Sequence, residues 1–242
     1  MSLDIQRIVP IKKARLAGEI IGQLQKMILS GELAAGHKLP PERELAQAFN
    51  VNRATIREAL KKLETLDLIE IRHGDGVYAR NYLHSTNLDL LRAMLEQGGD
   101  FKRDVVRSLF DLRRMIVPEM AALVARTRSS ADVKALRGVV LDDTGMTLLE
   151  KDLAVHRVIA AASGNLPYLV LLNFLQDATH NILEDFFEGE AIKAKIEKLH
   201  KDLYDAIKWR RPQVARQVML DALTSSAKRT LELLAKPQAK KG

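Results

Sequence analysis

The strongest constraint on the fold is a change of hydrophobic period within the first third of the chain. Residues 53–66 carry Ile56, Leu60 and Leu63 at helical spacing, and a shorter helical pattern over residues 40–49 precedes them. Only residues 50–52, two asparagines around a valine, separate these helices. After residue 67 two short strand-like runs flank a Gly-rich turn at 73–76, which predicts a β-hairpin. This order of elements predicts a winged helix-turn-helix.

The rest of the chain has the spacing of helices. A helical pattern over residues 15–27 precedes the helix-turn-helix, and beyond Tyr82 the pattern continues almost to the C-terminus, broken by short polar segments. We therefore predict a mainly α protein in three parts. These are a winged helix-turn-helix domain over residues 1–82, an all-helical bundle over residues 83–236, and a basic tail over residues 237–242.

Composition limits the classes of function that this chain can have. The sequence contains no cysteine, so any metal must be held by His and carboxylate groups. The 38 Lys and Arg residues outnumber the 31 Asp and Glu residues, and the net charge of +7 permits a nucleic-acid partner without requiring one. No apolar stretch approaches the ~20 residues that span a bilayer, and the N-terminus lacks the apolar run of a signal peptide. We expect a cytoplasmic protein with no membrane partner.

The N-terminal turn of the second helix carries the main candidates for DNA contact. In a helix-turn-helix this turn enters the major groove, where Arg can pair with guanine or phosphate and Thr can reach a phosphate or a thymine methyl group. The preceding helix can place an Arg against the flanking backbone, and the wing offers a small polar tip. The predicted DNA-binding residues are Arg43, Arg53, Thr55, Arg57, His73 and Gly74. If only charge is considered, the alternative is that these residues form a solvated helix face and do not contact DNA.

The same segment resembles a known family. The run GELAAGHKLPPERELA at residues 31–46, the run VNRATIREAL at residues 51–60, and the wing turn from Gly74 to Gly76 resemble the GntR family of bacterial transcription regulators. The resemblance to its FadR-type branch implies that the six residues above contact double-stranded DNA. Asn52 and Ala54 stand where that family more often has Ser or Thr, which bears on the operator sequence rather than on DNA binding.

A second group of residues with possible chemistry lies in the helical region. Asp152 and His156 are four residues apart, so they project from one face of a helix, and a carboxylate and an imidazole at that spacing can share a metal ion. His200 lies on a later helix. The alternative is a surface pair or a buried histidine with a hydrogen-bond partner, which is the more frequent role of such a pair.

Short motifs of the helical region are similar to those of the FCD domain, the effector-binding bundle of FadR-type regulators: residues 112–114, 118–122, 152–156, 163–165 and 199–207. The similarity implies that Asp152, His156 and His200 hold a divalent metal and that these three residues and Arg113 bind the effector, with Arg113 on its carboxylate. Ala222 stands at the position of the family's fourth ligand, so a Zn, Ni or Mn ion would need water and effector oxygens as further ligands. The alternative is a pocket that has lost its metal and accepts a larger organic effector.

Together these predictions describe a ligand-responsive transcription regulator and not an enzyme. We expect a homodimeric repressor that binds an inverted-repeat operator and is released by a small organic acid, with the divalent metal as its candidate cofactor. One alternative is a metal-dependent hydrolytic enzyme fused to a DNA-binding module, although no nucleophile motif accompanies the three metal ligands. The other is an architectural protein that binds DNA without sequence preference.

Overall fold

The computed structural model describes residues 13–142, 145–184, 187 and 190–235, and the predicted basic tail at 237–242 lies outside them. Within these residues the chain forms ten α-helices and one β-hairpin, which confirms the predicted mainly α fold. It divides into two compact units, Met1–Gln97 and Gly98–Gly242. None of the helices in the described ranges is long and apolar enough to cross a membrane.

The first unit is the predicted winged helix-turn-helix. Its elements are α1 (Lys13–Leu29), α2 (Glu42–Ala48), α3 (Arg53–Thr65), β1 (Ile69–Arg72), β2 (Gly76–Ala79) and α4 (Asp89–Glu96). α3 packs against both α1 and α2. Ile56, Leu60 and Leu63 of α3 are almost completely buried, and each such side chain contributes about 1.5–3 kcal/mol to the stability of the unit.

The turn between α2 and α3 follows from its two asparagines. Asn50 has a φ of 51°, a left-handed conformation that Asn tolerates better than most residues. Asn52 has extended backbone and caps α3, because its Oδ1 accepts a hydrogen bond from the backbone N–H of Thr55 at 2.9 Å. These two residues therefore reverse the chain and fix the start of α3 at Arg53.

The wing is anchored to the rest of the first unit by main-chain hydrogen bonds. β1 and β2 pair antiparallel, with Ile69 opposite Ala79. The segment that precedes α2 runs beside β2, where the Leu39 N–H donates to the Val77 carbonyl at 2.8 Å and the Ala79 N–H donates to the His37 carbonyl at 2.9 Å. The chain between α1 and α2 therefore holds the hairpin in place beside the helix-turn-helix.

The first unit extends beyond the boundary predicted after residue 82. It includes α4, whose Leu90, Ala93 and Leu95 are buried. Gln25 of α1 donates from Nε2 to the Ala93 carbonyl at 2.6 Å, a buried hydrogen bond between the two helices. The sequence pattern assigned this helix to the bundle because helical spacing does not show which neighbour covers the apolar face.

The second unit is a helical bundle, as predicted. Its helices are α5 (Gly99–Thr127), α6 (Ser130–Val140), α7 (Leu148–Ala162), α8 (Leu166–Glu184), α9 (Glu190–Lys208) and α10 (Pro212–Ala235). α10 packs along α5 and α9, while α7 packs on α6 and α8. Ala121 and Ala125 of α5 and Ala215 of α10 have no exposed surface, and these small residues let the two long helices approach closely.

Candidate DNA-binding surface and helical-domain cavity

The start of α3 carries the predicted groove contacts on an exposed surface. Arg53 and Ala54 are exposed, and Arg57, one turn further on, has 64% of its side chain exposed. Thr55, by contrast, is buried, and its hydroxyl donates to Asn52 Oδ1 at 3.1 Å. The structure thus gives Thr55 a role in the capping of α3, and its contact with DNA stays a prediction.

Arg57 is held by an ion pair across the helix-turn-helix. Its Nε lies 2.7 Å from Oε2 and 3.0 Å from Oε1 of Glu42, the first residue of α2. Arg43 and Arg53 are exposed, and within the described residues neither side chain forms a hydrogen bond or an ion pair. The three arginines leave cationic groups on the surface of α2 and α3, where they can neutralise DNA phosphates.

The tip of the wing presents His73 and Gly74, the two predicted minor-groove contacts. Both are exposed, and Gly74 has a φ of 79°, which glycine adopts without strain. Among the described residues other than Gly74 and its two chain neighbours, no heavy atom lies within 4 Å of the point where a Cβ on Gly74 would stand, so the tip is open to a partner. All six predicted DNA contacts therefore lie in the first unit, and every one except Thr55 is exposed.

Behind the tip, the wing is braced by a set of charged and aromatic side chains. Asp75 accepts a hydrogen bond from Lys38 Nζ at 2.9 Å and another from the Tyr78 hydroxyl at 2.8 Å. These bonds raise the pKa of Lys38 and lower the pKa of Asp75. The guanidinium of Arg72 lies 4.4 Å from the centre of the Tyr78 ring. Sequence reasoning missed this set, because Lys38 and Asp75 are far apart in the chain.

The second unit brings the three predicted metal ligands together. α7 begins at a capping box between Thr147 and Glu150, and it carries both Asp152 and His156. Asp152 Oδ1 lies 2.9 Å from Nε2 of His200 on α9, and Asp152 Oδ2 lies 3.8 Å from His156 Nε2. The carboxylate therefore lies between the two imidazoles.

A small cavity adjoins this carboxylate, and apolar side chains form most of its wall. Besides the three polar residues it is lined by Val155, Ile196, Leu199, Leu203, Val218, Met219 and Ala222. Ala222, the residue at the predicted fourth ligand position, thus faces the same space as Asp152 and the two histidines. It brings a methyl group to the cavity wall, where an imidazole would have brought a metal ligand.

Several polar atoms near this cluster are buried without a hydrogen-bond partner in the described part of the chain. They are Arg113 Nε, Tyr168 Oη, His156 Nδ1 and His200 Nδ1. Arg113 interacts electrostatically with Asp152 and Tyr168, which places α5 and α8 around the same charged region. An unsatisfied buried polar group costs about 1–3 kcal/mol, and proteins normally satisfy such groups with a ligand or water. The cluster therefore has the character of a binding site.

Burial determines the protonation states in this region. It lowers the pKa of His156 to about 4, so this imidazole is neutral near pH 7. Burial by itself raises the pKa of Asp152, but the hydrogen bond with His200 and the nearby charges hold that pKa below its ordinary value. Burial lowers the pKa of Arg113 and raises the pKa of Tyr168 to about 12. Arg113 is thus a buried cation that interacts electrostatically with the partly buried carboxylate of Asp152.

The predicted ligands do not form a metal-binding set in this structure. Within the described residues, no group of three or more His, Cys, Asp or Glu side chains is arranged to hold a metal ion. A metal-bound histidine usually donates from its second ring nitrogen to a partner, and the Nδ1 atoms of His156 and His200 have no such partner there. Ala222 supplies no fourth donor. The metal stays a prediction, and no step proposed below depends on it.

The two units define a class of protein. An exposed recognition helix with a wing is the architecture of a DNA-binding protein, and the appended bundle holds a buried charged cavity. Residues 16–79 match the family described as bacterial regulatory proteins, gntR family, and residues 108–225 match the FCD domain. The chain belongs to the GntR family of transcription regulators and carries an FCD domain, as its sequence motifs predicted.

The curated relatives of this chain include the following three transcription regulators. The HTH-type regulator Rv0494 of Mycobacterium tuberculosis is 30% identical over 173 residues, which are 70% of each chain. The galactonate operon transcriptional repressor of Escherichia coli is 27% identical over 223 residues, 88% of this chain and 96% of that protein. Mce2R of M. tuberculosis is 36% identical over 116 residues, so the match spans about half (48%) of that relative and of this chain. The family is one of regulators, so the enzyme alternative is set aside.

Proposed function

We propose that this chain is a cytoplasmic homodimeric repressor that binds an inverted-repeat operator and releases it when a small organic acid binds in the second unit. The observation that carries the effector class is the buried Arg113 guanidinium, whose Nε has no partner in the described residues. A buried cation beside polar groups without partners favours an anionic ligand. The cavity that Asp152 lines has a mostly apolar wall, which favours an organic one.

The charges around Arg113 support a carboxylate as the anionic group of the effector. A buried charge costs several kcal/mol unless it is paired and hydrogen-bonded, and Asp152 is the nearby opposite charge that compensates Arg113. That carboxylate is already hydrogen-bonded to His200. An incoming carboxylate could accept hydrogen bonds from Arg113 and from the Tyr168 hydroxyl, two groups that otherwise stay buried and unsatisfied.

The name of one relative supports repression and links it to the operon of an organic acid. The E. coli protein is named as the transcriptional repressor of the galactonate operon, and galactonate is a sugar acid. The match to that relative extends over both units of this chain. We therefore extend repression to this chain, and the acid in the name of that operon agrees with the organic acid that Arg113 favours.

The proposed mechanism couples two sites by differential binding. A twofold-symmetric dimer presents two wings and two α3 helices to two half-sites of an inverted repeat. The acid releases the operator only if it binds the DNA-free conformation more tightly than the DNA-bound one. By linkage, operator DNA must weaken acid binding by the same factor. Both affinities are measurable on the full chain.

A calorimetric titration with hydroxy acids and sugar acids tests the effector site. Tyr168→Phe removes a buried hydroxyl that has no partner in the described residues, so we expect the unliganded variant to be at least as stable as the wild type while its affinity for the acid falls about tenfold. Arg113→Gln abolishes acid binding, whereas Arg114→Gln, the adjacent change on the same helix, preserves it. Equal acid affinities for all four proteins would overturn the proposed site.

Selection of genomic DNA fragments by the full chain, followed by footprinting, tests the operator. We expect a short inverted repeat, released by the acid in the presence of EDTA. Parallel arms with added Zn, Ni or Mn test the predicted metal. Release that occurs only in a metal arm would show that the metal is part of the effector site, and failure to enrich any fragment would overturn operator binding.

A further inference from the structure

The ion pair between Glu42 and Arg57 sets the orientation of a DNA-facing guanidinium. Glu42 begins α2 and Arg57 lies in the second turn of α3, so the pair bridges the two helices of the helix-turn-helix. Arg57 Nε donates to both carboxylate oxygens of Glu42, at 2.7 and 3.0 Å. Glu42 is one-third exposed and Arg57 about two-thirds exposed, so the carboxylate lies at the protein side of the guanidinium.

This contact leaves a defined set of donors for DNA. A guanidinium has five N–H donors, and the carboxylate of Glu42 occupies the one on Nε. The two terminal nitrogens of Arg57 remain as a planar fork, the geometry that matches O6 and N7 of guanine or two phosphate oxygens. A side chain already held in one orientation loses less conformational freedom when it binds.

The carboxylate also works against DNA binding in general. A negative charge at the start of α2, close to a surface that meets phosphates, lowers the affinity for any duplex. Glu44 is exposed on the same helix, and within the described residues its side chain forms no hydrogen bond or ion pair. The two glutamates therefore carry the same charge on the same helix and differ in their contact with Arg57.

We propose that Glu42 is a positioning residue for sequence recognition, which holds Arg57 so that its terminal fork reads one guanine of each operator half-site. This inference rests on the proposed operator binding. It assigns the sequence specificity at one base pair of the operator to Glu42, a residue that contacts Arg57. It follows that loss of Glu42 lowers specific binding even though it removes a negative charge from the DNA-binding face.

The test uses the full chain and a pool of random-sequence duplexes. The sequence that the wild type enriches is prepared as a fluorescein-labelled duplex, and a scrambled duplex of the same composition is the reference. The affinity for each duplex is measured at physiological salt. Glu42→Ala lowers the affinity for the enriched duplex about tenfold and leaves the affinity for the scrambled duplex equal or higher. Glu44→Ala, the matched control, slightly raises the affinity for both duplexes.

Two further readouts separate positioning from a purely structural role. Glu42→Ala flattens the base preference at one guanine position of each half-site, and Glu42→Gln, whose amide oxygen still accepts from Arg57 Nε, restores part of that preference. In the combination with Arg57→Ala, the Glu42→Ala change has no further effect on specific affinity, because the residue that it positions is gone.

Three outcomes would overturn the inference. Glu42→Ala could raise both affinities as Glu44→Ala does, which would show that Glu42 is only a surface charge. It could lower both affinities equally together with the melting temperature, which would show a role in folding alone. Failure of the wild type to enrich any sequence would overturn operator binding, and this inference with it, whereas enrichment followed by either of the first two outcomes would overturn the inference alone.

Discussion

The wing and the helical-domain cavity use the same kind of interaction in opposite environments. In the wing, Lys38 and Asp75 form an ion pair with about half of each side chain exposed. In the second unit, Arg113 is 8% exposed and the side chain of Asp152 is 17% exposed, and the two opposite charges interact electrostatically. Water screens the first pair, so it contributes little to the unfolding free energy, whereas loss of either charge of the second pair would leave the other poorly hydrated and uncompensated.

The difference agrees with the ligand proposed for each region. In the proposed complex the wing and α3 meet DNA phosphates, and cations there must stay in solvent and be correctly oriented until the duplex arrives. A cation that selects a small carboxylate must be desolvated, since water would otherwise compete with the ligand. Opposite charges therefore orient side chains on the first unit, while in the second unit their mutual compensation contributes to the stability of the fold.

The largest expected effect comes from removal of the Asp152 carboxylate. Asp152→Ala leaves the buried Arg113 without the opposite charge that compensates it, and an uncompensated buried charge costs about 3–5 kcal/mol of unfolding free energy. Urea denaturation followed by circular dichroism measures it. The exposed Asp221→Ala, on α10, is the control, with an expected change under about 0.5 kcal/mol. Similar losses for the two variants would contradict the division between exposed and buried charges.

Acid should weaken the second unit through His156. Its pKa is about 4 in the folded protein and 6.5 in the unfolded chain, so the unfolded state binds more protons between these values. Stability is fully present above pH 6.5 and falls as the pH drops towards 4, by about 3 kcal/mol in total. Urea titrations in EDTA at several pH values measure the slope. We expect a flatter profile for His156→Gln and an unchanged one for the exposed His84→Gln; equal slopes for all three proteins would rule out this assignment.

A smaller effect tests whether Ala222 decides metal binding. Ala222→His would add an imidazole to the cavity wall beside Asp152, His156 and His200, and would complete a four-ligand zinc site. Zinc at a hundredfold excess over its Kd should then raise the unfolding free energy of the variant by about 2.7 kcal/mol. Ala222→Gln is the control of similar size. If zinc stabilises the wild type as much as the histidine variant, the three existing ligands already suffice.

Much of the fold was predictable because local sequence and tertiary packing agree in it. Ile56, Leu60 and Leu63 have the period of a helix and are buried as that period requires. Asn52 caps α3 at the position where the tight turn was predicted to end. The spacing of Asp152 and His156 likewise predicted a shared helix face, and the structure places Asp152 against both His156 and His200.

The remaining features depend on contacts between distant segments. Periodicity marked α4 as a helix but could not show that it packs in the first unit, where Gln25 bonds to Ala93. The residue type of Thr55 suits a DNA contact, yet its hydroxyl is buried against Asn52. Nor does any local pattern pair Glu42 with Arg57, or Lys38 with Asp75. Residue types predicted which chemistry is present, while the fold decides which groups meet.

The smallest effect on stability is expected at the wing. Asp75→Ala removes the acceptor for Lys38 and for the Tyr78 hydroxyl, but the main-chain bonds between β1 and β2 and from His37 and Leu39 to β2 remain. Because both charges are exposed, urea denaturation should not resolve the change from wild type. Operator affinity should nevertheless fall a few-fold, since Lys38 and the wing tip lose a fixed orientation. A clear loss of unfolding free energy would mean that exposed and buried charge pairs in this protein do not differ as argued above.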